Sequence, residues 1–328
     1  MLQAYHGKKV LLVGGLGFIG STLAHPLVEL GAQVRILDNF QPDHGANWHN
    51  IGDIRDKVEV HVTDLRDQYA LRQLIQDQDV IFNIAAQTSH SDSMVNPFED
   101  LDINCRGNLI LLEACRHFNP TARVVFVGTR AYYGSPEQTP VPENSPMHPR
   151  DIYSIHRYAA ERYHFIYHLH YGLPVTALRI SNIYGPYAQM AHPRYNVLNF
   201  FVRLALENRP IQIYGEGHQL RDYVYAQDAA EALLLAGVHP DALGQVFNVG
   251  SGAGVPFRTL AETIVELAGQ SRCEFVPWPE GALSYDVGDF IMDTTALHQT
   301  LGWQAQTSIR EGLAQTIAFY RQHHPHYW

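Results

Sequence analysis

Residues 8–21 read KKVLLVGGLGFIGS, and the order of residue types in this stretch decides the fold. The apolar run Val10–Val13 is short and continuous, the pattern of a strand buried on both faces. Gly14, Gly17 and Gly20 follow at even spacing, and the stretch FIGSTLAHPLVELG then carries helical periodicity as far as Gly31. Glycine at these places permits a tight turn, lets a pyrophosphate approach the backbone, and allows the helix to pack close on the sheet. The helix opens at Phe18 and Ile19 with free N–H groups, a ready site for an anion. A second strand, QVRILDNF, ends at Asp38 and Asn39. The Asp38 carboxylate suits the ribose hydroxyls of a dinucleotide and repels an added 2′-phosphate. No arginine follows it in DNFQP, so NAD is the expected cofactor in preference to NADP.

Outward from this unit the rhythm continues. KVEVHVTD, DVIFNIAA, ARVVFVGT and PVTALRIS read as further strands with helical patterns between most of them, which predicts a parallel sheet covered on both faces. After residue 182 the chain turns to loops rich in Pro, Tyr, Gly and Asn, with helices expected near 197–208 and 228–237. QVFNVGSG reads as a strand returning to the first unit. The division expected is 1–181 for cofactor binding, with 222–252 returning to it, and 182–328 mostly for substrate, interleaved with the first.

Composition narrows the function. A net charge of −10 lacks the basic footprint of a nucleic-acid surface. No apolar run approaches the roughly 18 residues that span a bilayer. Cys105, Cys115 and Cys273 are odd in number and far apart, which implies no disulfide framework. The first residues lack a signal-peptide layout, so a reducing cytoplasm is the expected location. Glu161, His164 and His168 fall at helical spacing and RQHHPHYW ends the chain, but neither group is assigned a metal. The aromatic run YHFIYHLHY is assigned to packing surface in preference to a cofactor box.

Taken together, these segments resemble the extended short-chain dehydrogenase/reductases, in particular the NAD-dependent nucleotide-sugar epimerase/dehydratase group. GGLGFIGS is similar to that family's glycine turn, and VTDLRD to its adenine-side segment, with Asp64 and Leu65 in the matching places. FNIAAQTSHSDSMVNPFEDLDINCRGNLILLEAC follows its central run, with Ala85, Ala86 and Asn104 at cofactor positions and Asn83 where histidine is usual. LRISNIYGP and GEGHQLRDYVYAQDAAEAL resemble its nucleotide-binding segments, and LGWQAQTSIREGLAQTIAFY its closing helix. The resemblance implies an α/β fold: a Rossmann-like doubly wound parallel sheet with a smaller C-terminal α/β substrate domain. It implies a homodimer acting on a nucleotide sugar.

The family uses a tyrosinate to take a sugar hydroxyl proton while hydride passes to the nicotinamide. Tyr153 in DIYSIHRYAAE occupies that position. Four residues on, Arg157 lies on the same helical face, where the family carries lysine. Arginine keeps the charge that stabilises a phenolate and can donate to ribose hydroxyls, but its planar fork is not interchangeable with an ammonium. Thr129 in VFVGTRAYYG matches the family's serine or threonine and would relay the proton, and Gly128 stands where a second serine is common. The next residues, Arg130 and Ala131, provide no acid where the dehydrating relatives carry one. Epimerisation, which needs no such acid, asks least of the site.

For the nucleotide, Arg221 matches an arginine that grips the diphosphate, Asn182 an asparagine that contacts diphosphate or sugar, and Asn196 lies on the expected wall. The segment EGALSYDVGDFIMDTTAL holds no basic residue where a second arginine is usual, and Arg194 in MAHPRYN is the expected substitute. The sequence therefore predicts an epimerase acting at C4 through a 4-keto sugar. The alternatives are a dehydratase or dehydrogenase of the same substrates, or an NAD-binding protein that has lost turnover.

Overall fold

The computed structural model describes residues 1–41, 44–279 and 286–328. Its order begins β1 (Lys9–Val13), α1 (Phe18–Glu29), β2 (Gln33–Asp38), β3 (Val58–Val62), α2 (Gln68–Leu74) and β4 (Val80–Asn83). Short helices α3 (His90–Val95) and α4 (Pro97–Leu101) and a π-helical turn, Asp102–Arg106, lead into α5 (Gly107–Phe118). Then come β5 (Arg123–Thr129), α6 (Ile152–Tyr171), β6 (Val175–Ile180), β7 (Asn182–Tyr184), α7 (Val197–Leu206), β8 (Ile211–Tyr214) and β9 (Leu220–Tyr225). The last elements are α8 (Ala226–Val238), β10 (Val246–Val249), β11 (Gly254–Pro256), α9 (Phe257–Ala268), β12 (Cys273–Val276), α10 (Thr295–Leu301) and α11 (Ile309–His323).

Seven strands form one parallel sheet in the order β10-β6-β5-β4-β1-β2-β3. Their near-continuous apolar runs follow from burial on both faces: Leu11 and Val13 face one core, Val10 and Leu12 the other. The strand order reverses direction on either side of β1, between β2 and β4. Ligands of open α/β sheets bind in the crevice beyond the strand ends at such a reversal. The glycine turn after β1 lies there.

A second hydrophobic core joins Leu198, Phe201 and Val202 of α7 to Leu260 and Ile264 of α9 and Leu313 and Ile317 of α11. Parallel pair β8–β12 and the three-stranded sheet β11-β9-β7 complete this region. The chain crosses between cores more often than its sequence rhythm conveys. Ala229 and Leu233 of α8 and Phe247 of β10 pack into the first core, and so do Leu297 and Leu301 of α10 and Trp303. The 295–303 segment is one more place where the two parts interleave, its helix packing on β10 and the neighbouring 3-10 turn. No helix of the described residues is long and apolar enough to cross a membrane.

Candidate active site

A cavity of about 950 Å³ opens between the ends of the parallel strands and the second core. Gly14, Gly17, Phe18, Ile19, Asp38, Asn39, Asp64, Leu65, Ala85 and Ala86 line one end of it. Gly14 has φ +86°, and a Cβ there would stand 2.8 Å from the Ala85 nitrogen, so this position requires glycine. Gly17 is the N-cap of α1, and no side chain caps the helix, which leaves its first N–H groups to the cavity. Asp38 is buried at 7% exposure and accepts from the backbone N–H groups of Leu16 and Phe40, both at 3.0 Å. Burial raises its carboxyl above the usual range, against those two bonds. Asp64 is held below the usual carboxylate range, to about 2, chiefly by the Arg66 guanidinium, and it accepts from the Asn39 amide at 2.8 Å. A cradle without side chains, uncapped helix N–H groups and a carboxylate at the end of β2 fit a dinucleotide.

Two expected cofactor residues act from behind this wall. Gly20 does not line the cavity; a Cβ there would lie 2.3 Å from the Gly14 carbonyl oxygen and 2.5 Å from the Gly15 Cα, so its role is close helix–turn packing. Asn104 also lies off the cavity. Its place on the π-helical turn aims its amide inward, where it donates to the Gln87 carbonyl (2.9 Å) and to Asp100 (3.1 Å), bracing the loop after β4.

Farther along the cavity, α6 presents the tyrosine. The helix begins at Ile152 because the Asp151 carboxylate accepts from the Ser154 N–H at 2.8 Å. It ends at Gly172, whose φ of +72° suits a left-handed cap. Tyr153, in the first turn, is 6% exposed and its backbone N–H donates to Ser93 Oγ at 3.1 Å. Thr129 stands where β5 ends, and its Oγ1 accepts from the Ala131 N–H at 3.2 Å. That leaves the threonine proton free to turn to the Tyr153 oxygen, whose pKa the Thr129 hydroxyl lowers. Burial raises the phenol above its ordinary value; the Arg157 charge and the Thr129 bond pull it back in part.

Arg157 lines the cavity but is only 2% exposed. Its guanidinium donates to the carbonyls of Ala85 (3.4 Å) and Val127, and lies 4.5 Å over the Phe126 ring. The planar group bridges the backbone at the ends of β4 and β5, and contributes its charge to Tyr153 from there.

On the opposite wall, Arg221 donates to the Gly288 carbonyl at 2.5 Å and pairs with Asp286 at 2.7 Å. The next residue, Asp222, is buried and accepts from Ser251 and from the Gly252 and Met292 N–H groups. Asn182 donates to the Asp222 carbonyl (2.9 Å) and accepts from Arg130 Nε (3.0 Å). Asn196 lines the wall with its amide committed at both ends, to Ile183 and to the α7 N-terminus. Arg194 reaches Asp92 at 3.0 Å. In the segment without a basic residue, 280–285 lie outside the described residues.

Sequence reasoning missed His90. Its ring meets Tyr153 edge-on at 4.9 Å and its Nδ1 is 2.6 Å from Asp151. Nothing in the spacing of TSHSD points to it, because only the fold of the loop after β4 brings it to α6. The three residues weighed for metal are engaged elsewhere: Glu161 with Arg179, His164 with Asn83 and the Ala160 carbonyl, and His168 with the Leu173 carbonyl. No group of metal-ligating side chains occurs among the described residues.

Residues 10–250 match the model of the NAD dependent epimerase/dehydratase family. The chain belongs to that family. A UDP-glucose 4-epimerase of Mycolicibacterium smegmatis is 33% identical over 315 residues, 95% of this chain and 98% of the relative. A human dTDP-D-glucose 4,6-dehydratase is 30% identical over 98% of this chain and 92% of its own length. Among solved structures, the UDP-glucose 4-epimerase of Thermus thermophilus in complex with NAD superposes with a TM-score of 0.85 at 31% identity, covering 95% of this chain and 99% of that one. NAD is thus the cofactor of this epimerase/dehydratase family member. The cradle around Gly14 and Gly17 suits its pyrophosphate, and the Asp38 carboxylate suits its ribose.

Proposed function

We propose that the protein is an NAD-dependent epimerase of a nucleotide-diphosphate sugar, acting at C4 through a transient 4-keto sugar. Bound NAD supplies a reversible hydride acceptor. Tyr153, as phenolate, removes the proton of the C4 hydroxyl, and Thr129 steadies the same oxygen and relays the proton. Arg157 favours the phenolate through its charge. The hydride that leaves C4 returns to the opposite face once the keto sugar has turned, and Tyr153 gives its proton back. Atoms and electrons balance with no net change in cofactor.

The observation that carries this reading over dehydration is the pair after Thr129. Arg130 and Ala131 line the cavity beside Tyr153, and neither can protonate a leaving hydroxyl. Arg221 and Arg194 are proposed to receive the nucleotide diphosphate, Arg221 by exchanging Asp286 for phosphate, and Asn182 to contact the diphosphate or the sugar. We further propose a cytoplasmic homodimer.

The test is incubation with UDP-, dTDP-, CDP- and GDP-sugars followed by NMR of the products. Inversion at C4 supports the proposal; a 4-keto-6-deoxy product or accumulation of reduced nicotinamide overturns it.

A further inference from the structure

Arg130 is more than the absence of an acid. It is part-buried on the cavity wall, one residue after Thr129, and its Nε donates to Asn182 Oδ1 at 3.0 Å. Its guanidinium carbon lies 5.1 Å over the Phe290 ring. Among the described residues no carboxylate forms an ion pair with it; the nearest strong charge effect is that of Arg221, another cation, with a smaller opposing one from Asp222. Burial and that cation depress its pKa to about 10. The neighbouring arginines are engaged through their terminal nitrogens, Arg221 with Asp286, Arg194 with Asp92 and Arg157 with the Ala85 and Val127 carbonyls, whereas among the described residues those of Arg130 have no hydrogen-bond partner.

A guanidinium on a cavity wall whose terminal N–H groups lack protein partners is suited to an anionic ligand. A neutral hexose brings no charge to that spot, and C4 epimerisation requires none. The diphosphate is matched by Arg221 on the facing wall. What remains near Tyr153 is the sugar itself.

We propose that Arg130 is a specificity residue that receives a carboxylate carried on the sugar, so that the preferred substrate is a nucleotide-diphosphate uronic acid or a sugar with an equivalent acidic substituent. The planar fork of Arg130 matches a carboxylate bidentately, with Asn182 fixing its orientation through Nε. This inference rests on the nucleotide-sugar reading above.

Isothermal titration of the NAD-loaded protein with UDP-glucuronate and with UDP-glucose tests it. The uronate is expected to bind about tenfold tighter or more, the scale of a charge-assisted hydrogen bond. In Arg130→Gln the ratio of the two affinities should fall toward one, and in Arg130→Lys part of the preference should return. An unchanged thermal midpoint and NAD content of Arg130→Gln show that its fold is intact. Equal affinities in the native protein overturn the proposal while sparing the epimerase reading, and so does an Arg130→Gln variant that weakens both sugars by the same factor, which would place Arg130 on the diphosphate. Failure of both sugars and of UDP to bind overturns the proposal together with the reading on which it rests.

Discussion

At Tyr153 two opposing effects set the strength of the base. Burial disfavours the phenolate; Arg157 and the Thr129 hydroxyl favour it, and burial is the larger. Because the active form is deprotonated, kcat should rise as pH rises toward the phenol's pKa and level off above it. Replacing Arg157 by Met removes the cation, raises that pKa further and should move the limb to higher pH. Arg157→Lys keeps the charge but gives up the fork that joins Ala85 to Val127, and a loss of about tenfold in kcat is expected, the scale of one net hydrogen bond. A gain in turnover on Arg157→Lys would show instead that arginine is a compromise at this place. Tyr153→Phe should lower kcat by about 10²- to 10⁴-fold while the purified protein keeps its NAD, as measured on the released cofactor.

The element that organises cofactor binding is the β1–turn–α1 unit, and its tightest point is Gly20. A methyl group there meets the Gly14 oxygen and the Gly15 Cα well inside contact distance, both of them backbone atoms with nowhere to go. Gly20→Ala should therefore push α1 away from the turn, with a stability cost of about 1–3 kcal/mol and a clear drop in NAD content. Thermal unfolding with and without added NAD measures both effects. This unit was fully legible in the sequence, because a period change from buried strand to amphipathic helix and three spaced glycines leave few other structures. The helix that carries Tyr153 and Arg157 one turn apart was legible for the same reason. The direction of the arginine was not: whether a long side chain turns to a ligand or to strand-end carbonyls depends on Ala85 and Val127, residues that are near only after the sheet has formed.

Across the whole molecule, the two cores meet at a cavity whose walls come from distant parts of the chain: Asp38 and Asp64, Thr129 and Tyr153, Asn182, Arg221 and Asp286. The parallel sheet and the return of QVFNVGSG could be read from strand rhythm. The packing of 295–303 on the first core could not, since a short helix with two buried leucines carries too little pattern to name its partner. Nor could the pairing of Arg221 with Asp286 or of His90 with Asp151, which are set by loops. The central claim, that hydride leaves and returns to the same carbon of a nucleotide sugar within one bound complex, is open to direct measurement. A UDP-sugar deuterated at C4, glucose and glucuronate in turn, is converted in ordinary water and the product examined by NMR and mass. Retention of the deuterium at C4 in the inverted epimer, with no accumulation of reduced nicotinamide, is the predicted result. Migration of the label to C6, its loss to solvent, or its transfer to NAD without return would contradict it.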